Sequence, residues 1–177
     1  MPVGHRQNAP GKSDVVVTPD WVVDDMLTVF KPTGKILDSC RGSGAFYNRI
    51  PKCLWCEINE GRDFFQFKTR VDWSIGNPPY SLTRKWFQHS FKIADNICYL
   101  LPFRNFVSGY GLLKEVAEFG GMPTIRMYGT GAFVGFPMGN AIAAIHVQRG
   151  YSGKTQFSHY QEVSTYARKI PKPKQTR

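Results

Sequence analysis

The chain has 177 residues, of which 42% are hydrophobic and 14% aromatic, and this composition is that of one globular domain with its own core. Lysine and arginine number 23 against 13 acidic residues, so the net charge of +10 favours a polyanionic partner such as nucleic acid. No apolar run has membrane-spanning length and the first residues lack the apolar stretch of a signal peptide, so we expect a cytoplasmic protein with no membrane partner.

The chain begins with a segment that has no hydrophobic periodicity. Residues 1–14 combine glycine, proline and mixed charge, which predicts a flexible N-terminal arm. Thr18 and Pro19 follow, and apolar residues then recur at helical spacing. This spacing predicts a helix over residues 21–30, with Thr18 or Asp20 available as its cap.

A short apolar strand is predicted over residues 35–39, followed by a glycine-containing turn and a brief helix over residues 45–49. Gly42 and Gly44 allow a sharp turn and a close approach of a ligand to the backbone. Tyr47 stands where a dinucleotide-binding fingerprint would have its third glycine. The turn alone therefore indicates no particular ligand.

Two acidic residues mark the end of the next predicted strand, which covers residues 52–58: Glu57 lies at its end and Asp63 follows it. The paired acceptors of Glu57 suit the two hydroxyls of a ribose, although a capping or surface carboxylate is equally compatible with the sequence. Asp63 precedes Phe64, which combines a polar acceptor with a ring, as an adenine would require. A loop carboxylate over a core phenylalanine is the alternative.

The four cysteines lie in apolar, strand-like segments, so they are predicted to be buried free thiols. Cys53 and Cys56 are spaced as C-x-x-C, but residues three apart on a strand point to opposite faces of the sheet. The four histidines are scattered along the chain. No metal site is therefore predicted.

The most informative segment is Asn77-Pro78-Pro79-Tyr80, directly after a predicted strand over residues 71–76. Each of the first two residues is held in an extended conformation by the proline after it. Because neither proline has an N–H, the Asn77 side-chain oxygen and the Pro78 carbonyl can face an incoming amino group, and Tyr80 supplies a ring for stacking. The pattern predicts a site for methylating a planar nitrogen; an ordinary strand-ending turn is the alternative.

Helices are then predicted over residues 82–92 and 112–119, with a strand between them over residues 96–101 and glycine-interrupted strands over residues 124–147. This alternation predicts an α/β fold with a Rossmann-like, doubly wound, mostly parallel sheet and an antiparallel C-terminal hairpin at one edge. Phe133 and Phe136 are expected to pack in the hairpin or core, with a second stacking ring as the alternative.

Basic residues mark candidate contacts to nucleic acid. Arg84, Lys85 and Arg104 lie shortly after predicted strands. Residues 151–177 are predicted to form a basic C-terminal tail that is either solvated or in contact with phosphates. Its candidate phosphate contacts are Lys169, Lys172 and Lys174.

In an open parallel sheet, ligands bind beyond the carboxyl ends of the strands, so the motifs after successive strands should meet in one crevice. Their order along the chain resembles that of the S-adenosylmethionine-dependent N6-adenine methyltransferases, which have the class I methyltransferase fold, in the gamma-class motif order. The resemblance covers about residues 15–105 and places a catalytic domain over residues 15–150. The residues that carry it are Thr18-Pro19, Asp38 with Gly42 and Gly44, Glu57, Asp63 and the tetrapeptide at Asn77.

The resemblance implies a role for each motif. Thr18 and Asp38 would lie near the methionine end of S-adenosylmethionine, Pro19 would also contact this cofactor, and Gly42 with Gly44 would form the turn beneath it. Glu57 would hold the ribose, and Asp63 with Phe64 the adenine. The catalytic residues would be Asn77, Pro78, Pro79 and Tyr80, with Asn77 and Pro78 accepting hydrogen bonds from the exocyclic amine of the target adenine.

The chain also departs from the family pattern. Ser39 replaces a proline often found after the first acidic motif, and Arg41 adds a charge beside the turn, which bears on cofactor affinity. Only 13 residues separate Asp63 from Asn77, which leaves little room for a target-recognition region. We therefore expect methylation of DNA with a short or relaxed sequence requirement, or with specificity supplied by a partner or by a homodimer.

Three other functions share these motifs. An enzyme for adenine in RNA would have the same tetrapeptide and the same Thr-Pro pair. A protein glutamine methyltransferase uses the tetrapeptide on a side-chain amide, and the net charge of +10 argues against it. A catalytically silent subunit that binds nucleic acid would keep the fold, and the intact tetrapeptide argues against that.

Overall fold

The computed structural model describes residues 16–161, in which seven strands form a single sheet. The strands are β1 Ile36–Asp38, β2 Leu54–Trp55, β3 Val71–Gly76, β4 Ala94–Pro102, β5 Gly120–Thr130, β6 Ala141–Arg149 and β7 Gln156–His159. Their order is β2-β1-β3-β4-β6-β5-β7. Four neighbouring pairs are parallel, and β6 is antiparallel to both β4 and β5. The predicted mostly parallel α/β sheet is confirmed.

The α-helices are α1 Asp20–Phe30, α2 Thr83–Ile93, α3 Phe103–Val107, α4 Tyr110–Phe119 and α5 Gly131–Val134. The helices predicted over residues 21–30, 82–92 and 112–119 are present with ends shifted by at most two residues. The helix predicted over residues 45–49 is a single 3₁₀ turn, Tyr47–Arg49. Within residues 16–161, no helix is long and apolar enough to cross a membrane.

Helices cover both faces of the sheet because successive strand residues point to opposite sides. In β4, Cys98 and Leu100 pack in the cluster that contains the buried face of α1. Tyr99 and Leu101 pack in the cluster on the other face, with α2, α3 and α4. This is the predicted doubly wound arrangement. The two faces also separate Cys53 from Cys56, as their spacing predicts.

The strand predicted over residues 52–58 is reduced to β2, Leu54–Trp55. Lys52 has a φ of 57°, in the left-handed region that strand residues do not adopt. Beyond the strand, the Glu57 side chain caps the 3₁₀ helix Ile58–Glu60. The chain therefore turns away from the sheet at both ends of this edge strand.

The antiparallel hairpin of β5 and β6 is present, but β7 forms the edge of the sheet outside it. Residues 156–159, which the sequence predicts as part of the tail, pair in parallel with β5. Tyr160 N–H donates to the Met127 carbonyl at 2.7 Å, and the Tyr160 ring lies 4.7 Å from that of Trp21. Main-chain pairing thus gives β5 a second neighbour. The predicted arm over residues 1–14 and the three tail lysines, Lys169, Lys172 and Lys174, lie outside the described residues.

Several chain segments meet at the carboxyl edge of the parallel strands. Because β1, β3 and β4 run in the same direction, Asp38, Gly76 and Pro102 end at this edge. Strand β6 runs in the opposite direction, so the connection over residues 131–140 lies at the same edge. The helices α2 and α3 also start there, because they follow β3 and β4.

Candidate active site

The buried carboxyl group of Asp38 organises the turn after β1. It accepts hydrogen bonds from the backbone N–H groups of Cys40, at 3.3 Å, and Tyr47, at 3.1 Å. Burial raises the pKa of Asp38 to about 7, although both hydrogen bonds act to lower it. Gly42 and Gly44 have φ values of 51° and 93°, which explains why the sharp turn requires glycine.

Glu57 links the end of β2 to this turn. Its Oε2 accepts from the Gly42 N–H at 2.9 Å, and its Oε1 accepts from the Asn59 N–H at 3.1 Å. Each carboxylate oxygen keeps capacity for a second hydrogen bond, as a pair of ribose hydroxyls would require. Nearby, Arg41 pairs with Glu60 and lies over the Trp55 ring, 4.1 Å from its centroid. Its charge is therefore compensated rather than free beside the turn.

Asp63 and the residues after it form an aromatic wall. The Asp63 carboxylate accepts from the Phe65 N–H at 2.9 Å. Phe64 is buried and stacks on Trp86 with ring centroids 4.5 Å apart and planes 18° apart. Phe65 meets Trp86 edge to face at 5.1 Å. The sequence predicted only Asp63 and Phe64 at this wall. The adjacent pair of phenylalanines could have indicated Phe65, whereas no sequence signal indicated Trp86.

The Asn77 amide is fixed by the segment that precedes α1. Its Nδ2 donates to Thr18 Oγ1 at 3.1 Å and to the Val16 carbonyl at 3.3 Å. Its Oδ1 is buried and has no hydrogen-bond partner within the described residues. An acceptor left in this state costs about 1–3 kcal/mol unless a ligand satisfies it. Sequence reasoning missed Val16, because a backbone carbonyl has no residue signature.

Thr18 also differs from its predicted role at the start of the helix. Neither Thr18 nor Asp20 caps α1 with a side chain. Instead, the Pro19 carbonyl accepts the first helical hydrogen bonds, from Val22 at 3.1 Å and Val23 at 3.3 Å. The Thr18 hydroxyl is thereby left to accept from Asn77.

The rest of the tetrapeptide is mostly buried. Pro79 lines the cleft described below, whereas the Pro78 side chain is buried. Tyr80 is 8% exposed and packs in the core on the α2 face. Its carbonyl accepts from Thr83 Oγ1 at 2.7 Å and from Asn105 Nδ2 at 3.0 Å. The ring expected to stack on a substrate therefore supports the fold of the segment.

The predicted convergence of the strand ends is observed. Glu57, Asp63 and Asn77 line one open cleft, whose volume is about 790 Å³ when the open solvent at its mouth is included. A smaller cleft, lined in part by Thr18, adjoins it, and Asn77 borders both. The larger cleft is further lined by Val16, Ser39, Cys40, Gly42, Cys56, Ile58, Asn59, Arg62, Phe64, Phe65, Pro79 and Trp86. Pro19, Asp38 and Gly44 support these walls without lining either cleft.

The candidate nucleic-acid contacts differ in their surroundings. Arg84 pairs with Glu115 at 2.6 Å, whereas Lys85 and Arg104 are exposed. Phe136 is buried as expected, but Phe133 is 52% exposed, with its ring 6.0 Å from that of Trp21. Within residues 16–161 the cysteines are free, and no cluster of three or more histidine, cysteine or acidic residues could hold a metal ion.

Comparison with known proteins gives no match to a family model or to a curated protein, but it does give matches among solved structures. The methyltransferase subunit of a type I restriction-modification system from Streptococcus thermophilus is 14% identical with a TM-score of 0.57, over 79% of this chain and 45% of that one. A Listeria monocytogenes protein described as a class I S-adenosylmethionine-dependent methyltransferase is 10% identical with a TM-score of 0.61, over 86% and 68%.

A dimethyladenosine transferase from Plasmodium falciparum is 11% identical with a TM-score of 0.56, over 76% of this chain and 63% of that one. The chain spans about half the length of the restriction-modification subunits that it matches. At these identities the comparisons show the fold, which is that of the class I methyltransferases.

Proposed function

We propose that this protein transfers a methyl group from S-adenosylmethionine to the N6 amino group of adenine in DNA. The observation that carries the proposal is the side-chain oxygen of Asn77, which is buried, has no partner within the described residues and belongs to a residue that borders both clefts. An acceptor held in this way fits a ligand that brings an N–H group to it.

The lining of the clefts fits the proposed cofactor. Glu57 offers carboxylate lone pairs to ribose hydroxyls, while Asp63 and the rings of Phe64 and Phe65 offer an acceptor and apolar surface to adenine. The smaller cleft beside Thr18 and the glycine turn would take the methionine portion. Bound S-adenosylmethionine supplies an electrophilic methyl group on its sulfonium.

Asn77 would activate the acceptor amine. The exocyclic amine of adenine is a weak nucleophile because its lone pair is delocalised into the ring. Hydrogen bonds from this amine to Asn77 Oδ1 and to the Pro78 carbonyl favour a tetrahedral nitrogen and stabilise the positive charge that the nitrogen gains. No strong base is needed first, because the nitrogen loses its proton readily once it is methylated.

Other residues would act by positioning. Thr18 and Val16 hold the Asn77 amide in one orientation, so its oxygen does not have to reorganise when substrate arrives. Asp38, which lines neither cleft, holds the glycine turn through Cys40 and Tyr47. We assign Asp38 and Pro19 to the support of the site rather than to direct contact with the cofactor.

The choice of nucleic acid over protein rests on the net charge of +10, and the choice of DNA rests on the structural likeness to restriction-modification methyltransferase subunits. Between Asp63 and Asn77 the chain forms only the 3₁₀ helix Phe64–Gln66 and β3. This favours a short or relaxed target sequence, or specificity supplied by a partner or a second copy of the chain. Adenine in RNA is the second candidate, favoured by the likeness to a dimethyladenosine transferase.

The proposal is tested by incubating the protein with labelled S-adenosylmethionine and equal masses of unmethylated duplex DNA, single-stranded DNA, RNA or protein extract. The labelled product is then digested to nucleosides or amino acids. The expected product is N6-methyldeoxyadenosine. N6-methyladenosine from RNA alone would move the assignment to the second candidate, and label only in protein would overturn both.

A variant at Asn77 tests the assignment of the site. Asn77→Ala is expected to abolish transfer while calorimetry still detects binding of S-adenosylmethionine. Full activity of the variant would overturn the role of Asn77. A wild-type protein that binds nucleic acid but not the cofactor would be a non-catalytic binding subunit.

A further inference from the structure

We infer that the first turns of α2 and α4, together with α3, form a binding surface for a single nucleic-acid strand, on which Tyr110 stacks against a base that neighbours the target adenine. We call this the Tyr110 surface and define it by Lys85, Arg104, Val107 and Tyr110. It rests on the proposed function, because the strand is the methyl acceptor.

The fold places these three helices together, beside the candidate active site. Helix α2 follows the tetrapeptide through the turn Tyr80–Leu82. In α3, Asn105 Nδ2 donates to the Tyr80 carbonyl at 3.0 Å, which ties α3 to the tetrapeptide. Gly111 lies so close to Arg84 that a Cβ added there would be 2.8 Å from the guanidinium carbon. The first turn of α4 therefore touches the first turn of α2.

Tyr110 itself is 82% exposed, although it is the first residue of α4. The buried residues of this helix are Leu112 and Val116, so packing of α4 does not require the Tyr110 ring. Val107, at the end of α3, is also exposed. An exposed aromatic ring of this size provides a face on which any base can stack.

The exposed charges on α2 and α3 suit a polyanion. No acidic residue occurs in residues 77–92 or 96–114. Lys85 and Arg104 are exposed, and neither pairs with a carboxylate within the described part of the chain. The cleft itself is lined by Glu57 and Asp63 together with Arg62. A phosphate backbone is therefore attracted to Lys85 and Arg104 on the helix side.

The exposed ring also favours a single strand over a duplex. In a duplex each base is stacked on its neighbours, so its faces are not accessible to a side chain. A single strand or a locally opened site presents these faces, while basic residues follow its backbone. The Tyr110 surface combines both elements on helices that contact each other and, through Asn105, the Tyr80 carbonyl of the tetrapeptide.

The experiment measures binding of a fluorescein-labelled 12-nucleotide strand with one central adenine, by fluorescence anisotropy at several salt concentrations. Tyr110→Ala is expected to weaken binding by at least about fivefold, and Tyr110→Phe to preserve it. Lys85→Ala and Arg104→Ala are each expected to lower the salt-dependence slope by about 0.7.

Matched controls lie elsewhere on the molecule. Lys92→Ala removes an exposed cation from the other end of α2, and Phe157→Ala removes a 65% exposed ring from β7. Both are expected to bind the strand like wild type. Cofactor affinity in calorimetry should be unchanged in all variants, because none of these side chains lines the clefts. The thermal midpoint should also be unchanged, because the side chains are exposed.

Wild-type affinity of Tyr110→Ala would overturn the inference, as would a duplex that binds more tightly than the strand. Tyr110-dependent binding of poly-glutamate as tight as that of the strand would indicate an acidic protein partner and also overturn it. Strand binding through Tyr110 without methyl transfer would refute the proposed function and support the surface. Methyl transfer that does not depend on Tyr110 would support the proposed function and refute the Tyr110 surface.

Discussion

The hydroxyl oxygen of Thr18 lies 3.1 Å from Nδ2 of Asn77, across 59 positions of the chain. Thr18, two residues before α1, thereby orients the side chain of Asn77, which follows β3. With the Val16 carbonyl as second acceptor, this contact uses the amide nitrogen for the protein and leaves the oxygen for a ligand.

Thr18→Val keeps the shape of this residue but removes the acceptor. We expect kcat to fall by about 10-fold, because a lost buried hydrogen bond costs roughly 1–2 kcal/mol, while Thr18→Ser retains activity. Steady-state kinetics with separate KM values for cofactor and nucleic acid measures this. A higher KM for the cofactor at unchanged kcat would instead indicate that Thr18 contacts the cofactor.

Glu57→Gln should weaken binding of the cofactor rather than impair activation of the acceptor amine. A glutamine has one acceptor oxygen, so it cannot serve both the Gly42 and Asn59 N–H groups as the carboxylate does. Affinity for S-adenosylmethionine is expected to fall by at least about 10-fold in calorimetry, since hydrogen bonds to charged groups contribute about 1.5–3 kcal/mol. Glu118→Gln, which alters only the exposed ion pair with Lys114, is the control and should change affinity less than about twofold.

Gly76→Ala should destabilise the contact between the ends of β1 and β3. Gly76 has a φ of 148°, and a Cβ there would lie 3.0 Å from Cys40 Sγ and 3.2 Å from Asp38 Oδ1. We expect a loss of about 2 kcal/mol or more in the free energy of unfolding, measured by urea denaturation. Gly139→Ala meets nothing within 4 Å and should stay within about 0.5 kcal/mol of wild type. Equal stability of both variants would contradict this close approach.

His146 should make the protein less stable in acid. The His146 ring is buried and stacks on Trp73 with ring centroids 4.8 Å apart, and its Nε2 lies 3.0 Å from Asn96 Oδ1. Burial lowers the pKa of His146 from 6.5 to about 4. Between these pH values the unfolded state binds more protons than the folded state. The stability that neutral His146 contributes to the folded state is therefore complete above pH 6.5 and is lost as the pH falls to about 4. It amounts to about 3 kcal/mol. The difference in unfolding free energy between wild type and His146→Gln, measured from pH 4 to 7, should narrow on acidification.

Asp38 should have the opposite effect to His146 on the pH dependence of stability, over about the same pH range. Burial raises its pKa from 3.8 to about 7, so the folded state binds the extra proton and this group's contribution to stability decreases as the pH rises from 3.8 to about 7. Its carboxyl carbon is expected to titrate near pH 7 in a ¹³C NMR experiment. A midpoint near 4 would show that the hydrogen bonds from Cys40 and Tyr47 outweigh burial.

The features that sequence predicts well are those written in periodicity or in turn chemistry. Strand β3 matches its predicted limits because its apolar run ends at a glycine before two prolines, and α1 matches its apolar spacing. The positive φ values of Gly42 and Gly44 agree with the predicted sharp turn. The meeting of Glu57, Asp63 and Asn77 in one cleft follows from parallel strand direction.

The features that sequence missed depend on the main chain or on distant neighbours. Strand β7 pairs through its backbone and has little alternation to reveal it, and the Val16 carbonyl contributes to the site without any residue preference. Whether the Tyr80 ring faces substrate or core is decided by packing from α2 and α3, which the local motif does not contain. The same holds for Trp86, which reaches Phe64 from the next helix.

The bond between Thr18 and Asn77 also connects local opening to activity. If the chain frays ahead of α1, the amide of Asn77 loses both acceptors and can rotate, while the sheet and its core remain folded. Catalytic competence would then disappear in a sub-global transition, below the temperature of global unfolding. Amide hydrogen exchange at the start of α1 would report that transition directly, and ligands that hold the Asn77 oxygen in place would slow it.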